Sequence, residues 1–81
     1  MKFQKNDIWE ANGGLLFLII EISNAKNYPI LANIIGPYTP ANPNLTTDFT
    51  SSGKEVGEAH PSPYDLELYI GNKNSHPEYF L

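Results

Sequence analysis

An all-β domain of about five short strands is what the sequence predicts, on three observations. Helical periodicity is nearly absent along the chain. Seven Pro, six Gly and nine Asn punctuate it, and each favours turns over long regular elements. Between these breaks lie short runs rich in Ile, Leu, Phe and Tyr.

The strands can be placed in order. DIWEA, Asp7 to Ala11, is the first. Its side chains alternate, so Ile8 cannot share a face with Asp7 or Trp9, and Trp9 is expected to be half exposed. Asn12-Gly13-Gly14 is a turn, because Asn and Gly tolerate positive φ. LLFLIIEIS, Leu15 to Ser23, is apolar on both faces: Leu15, Phe17 and Ile19 point one way, Leu16, Leu18, Ile20 and Ile22 the other. Such a strand must be covered on both sides. Its outer face therefore calls for a loop, a tail or another subunit. A buried helix is the alternative, and the length and flanking glycines argue against it. YPILANII, Tyr28 to Ile35, is the third strand, with Pro29 at its start, where a missing N–H matters least. The segment 36–48, GPYTPANPNLTTD, reads as a Pro-rich excursion, either functional or a neutral insertion. Leu45 to Thr50 is a fourth strand. HPSPYD turns the chain. LELYI, Leu66 to Ile70, is a fifth, with Leu66, Leu68 and Ile70 inward and Glu67 and Tyr69 outward. The tail, 71–81, ends in Tyr79, Phe80 and Leu81, which are expected to pack on the long strand or on a second copy.

Composition narrows the function. With no Cys, disulfides and thiolate zinc sites are excluded. His60 and His76 each precede Pro and lack ligand-spaced neighbours, so no metal and no cofactor is expected. Five Lys, no Arg and a net charge of −4 lack the basic face that duplex nucleic-acid binding requires. The nine acids are scattered rather than in runs, which argues against a nucleic-acid mimic. No apolar run approaches the roughly 20 residues that span a bilayer. MKFQKNDIW lacks a signal peptide's apolar region, so a cytoplasmic, membrane-free protein is expected. A chain of 81 residues is expected to form one domain with a thin core, which favours homo-oligomerisation.

SSGK, Ser51 to Lys54, invites comparison with a phosphate loop. That motif needs Gly at position 48 and a hydroxyl residue at 55. Asp48 and Glu55 stand there instead, and the chain is too short for the βαβ setting. The stretch is a hairpin corner, with Phe49 inward, Gly53 at positive φ, and Ser51 and Ser52 bonding back to the backbone. His60 with Asp65 or Glu58 could form a dyad, but the flanking prolines describe a rigid surface turn, and no enzyme is expected. Aromatic residues are abundant and suit contact surfaces. The candidate binding residues are Trp9, Tyr38, Asn42, Lys54, Tyr64 and Tyr69, with Tyr38 and Asn42 on the Pro-rich loop.

Tyr28-Pro29-Ile30, Phe49-Thr50, Gly53-Lys54 and Asp7 together resemble a pattern in small phage-encoded proteins of SH3-like barrel type. There, a K-x-G-D-x-V strand precedes a strand near Y-P-I and an F-T-x-D-G-[RK] hairpin. The resemblance spans about residues 3–70. Asn6 stands in place of Gly, Ser52 in place of Asp, and segment 37–44 is extra. It implies a small SH3-like barrel over 7–70, with a Pro-rich loop insertion and a short C-terminal tail, 71–81. It further implies a non-catalytic accessory protein, in the host cell cytoplasm, that binds and inhibits a host or defence protein. The alternative is an oligomeric sponge for a nucleotide-like ligand held by Tyr38 or Trp9, Lys54 and backbone amides.

Overall fold

The computed structural model describes residues 3–36, 46–55 and 62–80. Five antiparallel strands form one sheet: β1 (Asp7–Ala11), β2 (Leu16–Ile22), β3 (Ile30–Gly36), β4 (Thr46–Phe49) and β5 (Leu66–Asn72). Their spatial order is β4-β3-β2-β1-β5. Two 3₁₀ turns come after β5, Lys73–Ser75 and Pro77–Phe80. No helix among the described residues is long and apolar enough to cross a membrane.

Local chemistry explains the boundaries. Gly14, at φ 96°, donates to the Ala11 carbonyl at 2.9 Å and lets the chain reverse from β1 into β2. Pro29 ends the next connection just before β3, and its carbonyl accepts from the Ser23 N–H at 2.8 Å. The hairpin after β4 is closed by Thr50 N–H to Lys54 O at 2.8 Å and Gly53 N–H to Thr50 O at 2.9 Å. Gly53 has φ 87°, and a Cβ there would lie 2.6 Å from Phe3 Cζ, so both backbone and space require glycine. Among the described residues, neither the Ser51 nor the Ser52 side chain bonds back to the backbone as expected. Thr50 does, its Oγ1 accepting from the Lys54 N–H at 3.1 Å.

β2 organises two apolar clusters, one on each face. Phe17 and Ile19 pack inward with Phe3, Trp9, Ile30, Phe49 and Leu66. The Phe17 and Phe49 rings meet edge-on at 5.2 Å. Leu16 and Leu18 lie on the other face with Ile8 and Ile35, and Tyr79 of the last 3₁₀ turn packs against them. The tail thus helps to cover the second face. Phe3 lies outside every expected strand, yet it is among the largest fully buried side chains.

Two further expectations fail, for related reasons. Trp9 is not half exposed but only 6% exposed, because Phe3 packs on it at 4.4 Å and the β1–β5 pairing closes its other side. The alternation expected in β5 also breaks. The pairing runs Ala11 to Leu66, Glu10 to Leu68, Trp9 to Tyr69 and Ile8 to Gly71, with a register shift on each side of the central two pairs. Each bulge adds one residue and inverts the facing of the residues beyond it. Leu66 therefore faces the inner cluster, Leu68 is 56% exposed, and Ile70 joins the outer cluster.

Candidate functional site

The site is assembled from the β1–β5 pairing. Asp7 and Trp9 are two apart on β1, so they share a face. Tyr69 lies opposite Trp9 in the register, and the adjoining bulge aims its ring across β1. The two rings stand 5.5 Å apart, tilted by 58°. Gln4, Asp7, Trp9 and Tyr69 line a cleft of about 300 Å³. Its floor is the buried Trp9, and one wall is the Tyr69 ring, which is 52% exposed. Asp7 is only 6% exposed; its Oδ2 accepts from the Gln4 N–H at 3.1 Å, and its Oδ1 has no hydrogen-bond donor among the described residues.

A second cleft, of about 340 Å³, lies between Leu15, Ile34, Thr46, Thr47, Asp48, Glu55 and Tyr64. The threonines and Asp48 come from β4, and the Tyr64 ring comes from the turn before β5. Its lining mixes apolar and hydroxyl groups, with Asp48 and Glu55 as its charges.

Lys54 lines neither cleft. Its ammonium stands 3.7 Å from Asp65 Oδ2. Asp65 is 1% exposed, and its two oxygens accept from the Glu55 and Ser62 N–H groups, each at 2.9 Å. Ser62 Oγ in turn donates to Glu55 Oε1 at 2.9 Å and accepts from the Tyr64 N–H at 3.1 Å. Asp65 thus locks the β4 hairpin to the turn that starts β5, and Leu66 N–H to Gly53 O at 2.9 Å extends the same junction. A buried carboxylate satisfied in this way is a structural anchor.

Of the six candidate residues, Trp9 and Tyr69 come together in the first cleft, Tyr64 lines the second, and Lys54 belongs to the Asp65 junction. Tyr38 and Asn42, with the rest of 37–45, lie outside the described residues, as do Glu58 and His60. Sequence reasoning missed Asp7 and Gln4 as lining groups. The signal for Asp7 was present, because period two places it beside Trp9. Gln4 carried none. Among the described residues no group of three His, Asp or Glu side chains could hold a metal ion. No protein-family model, curated protein or solved structure matches the chain.

Proposed function

We propose that this chain is a non-catalytic binding module of SH3-like barrel type, and that its contact surface is the β1–β5 end of the sheet. The observation that carries the reading is the Trp9–Tyr69 pair. A half-exposed ring packed over a buried one beside a cleft is a rigid aromatic anchor, of the kind that dominates binding energy at interfaces. β5 ends the strand order, and among the described residues no strand pairs with its outer edge. Exposed edges of this kind accept partner strands.

The barrel reading is supported by the strand order and by the Leu66–Gly53 hydrogen bond, which ties the turn after β4 to the start of β5. Asn6, where the resembling phage proteins carry Gly, sits at φ 73°, a region that Asn and Gly both enter readily. The resemblance puts forward a host or defence protein as the partner and inhibition as the outcome.

The test is affinity capture from bacterial lysate with wild type, Tyr69→Ala and, as a control at an exposed ring that lines neither cleft, Tyr28→Ala. One host protein retained by wild type and Tyr28→Ala but lost with Tyr69→Ala is the expected result. A partner retained equally by all three would move the surface elsewhere. An oligomeric mass in solution, combined with stabilisation by dinucleotides and no protein partner, would replace this reading with the ligand sponge.

A further inference from the structure

The geometry points to the cleft between Asp7, Trp9 and Tyr69 as a receptor for a cationic side chain, a lysine or arginine on an exposed segment of the partner protein. This rests on the binding reading above and names the chemistry of the partner.

Three features converge. First, Trp9 and Tyr69 present ring surface to the same space, and an ammonium or guanidinium within about 6 Å of such a ring centroid is attracted by its quadrupole. Second, Asp7 is a carboxylate held in place by the Gln4 N–H, and among the described residues no donor reaches its Oδ1. A charged donor on a mostly buried carboxylate makes one of the stronger hydrogen bonds. Third, none of the described lysines is among the residues that line the cleft. The net charge of −4 favours approach of a basic partner over long range.

Other occupants fit less well. A phosphate-bearing ligand would meet Asp7 with no cation among the described lining residues to offset it. A metal ion would find a single carboxylate among the described lining residues. A purely apolar side chain would use the rings but offer no donor to Asp7 Oδ1 as it covers the carboxylate, which costs free energy. The alkyl stem of a lysine or arginine lies along aromatic surface while its head reaches the acid, so it uses both the rings and the carboxylate.

The chain has one Trp, so Trp9 fluorescence reports on the cleft. The probe is the acetylated, amidated peptide Ala-Ala-Lys-Ala-Ala, compared with the same peptide carrying norleucine in place of lysine. The lysine peptide should give a saturable change, half-complete at about tenfold lower concentration than the norleucine peptide. Asp7→Asn should erase that difference, and Tyr69→Leu should weaken binding of the lysine peptide. The peptide comparison uses the unmodified protein, so it stands even if a variant misfolds. Equal response to the two peptides, or no response to lysine, overturns the inference. If the lysine peptide fails while Tyr69→Ala still abolishes partner capture, the cation receptor falls and the binding module stands. If both fail, both fall.

Discussion

Asp65 and Asp7 are both buried carboxylates, and they do opposite things. Asp65 has a backbone N–H on each oxygen and Lys54 alongside. Both oxygens are engaged inside the fold, so the residue anchors the β4 hairpin to the start of β5. Asp7 accepts one internal hydrogen bond and faces a cleft with two aromatic rings. Burial alone does not separate an anchor from a receptor. The hydrogen-bond inventory does, because a buried charge left partly unsatisfied is stable only if something outside completes it or if the cleft lets water reach it.

Four substitutions would break or sharpen that contrast. Asp65→Ala should have the largest effect, lowering stability by about 3 kcal/mol in urea denaturation, because two buried N–H groups lose their acceptor. Gly53→Ala should come next at about 2 kcal/mol, since its Cβ would press on Phe3 and the residue would remain at positive φ. Tyr69→Ala should cost at most about 1 kcal/mol of stability, because the ring is half exposed; the measurement that matters is loss of the partner from capture. Asp7→Asn should be the mildest for folding, within about 1 kcal/mol, since an amide oxygen can still accept from Gln4. If Asp7→Asn destabilised the fold as much as Asp65→Ala, Asp7 would be an anchor as well.

Much of the fold is legible in the sequence. β1 has the bounds expected from DIWEA, and β2 is covered on both faces, as its uninterrupted apolar run requires. Gly53 and the inward Phe49 were readable from FTSSGK. The bulges in β5 were not. LELYI alternates cleanly, and nothing in five residues says that the partner strand will be shorter by two. That mismatch is a property of pairing with β1, and it is what leaves Leu68 exposed and turns Tyr69 towards Trp9. Phe3 escaped because it is a lone apolar residue among polar neighbours, and its burial is decided by residues far along the chain, Gly53 and Leu66 among them. The role of Asp65 depends on N–H groups ten and three residues away, a spacing that no local motif encodes.

Backbone amide mapping by NMR during titration with the lysine peptide tests the central claim most directly. Shifts concentrated at Gln4, Asp7, Trp9 and Tyr69, and absent with the norleucine peptide, are the predicted result. Shifts concentrated at Leu15, Thr47, Glu55 and Tyr64 would place the receptor in the second cleft and contradict the account.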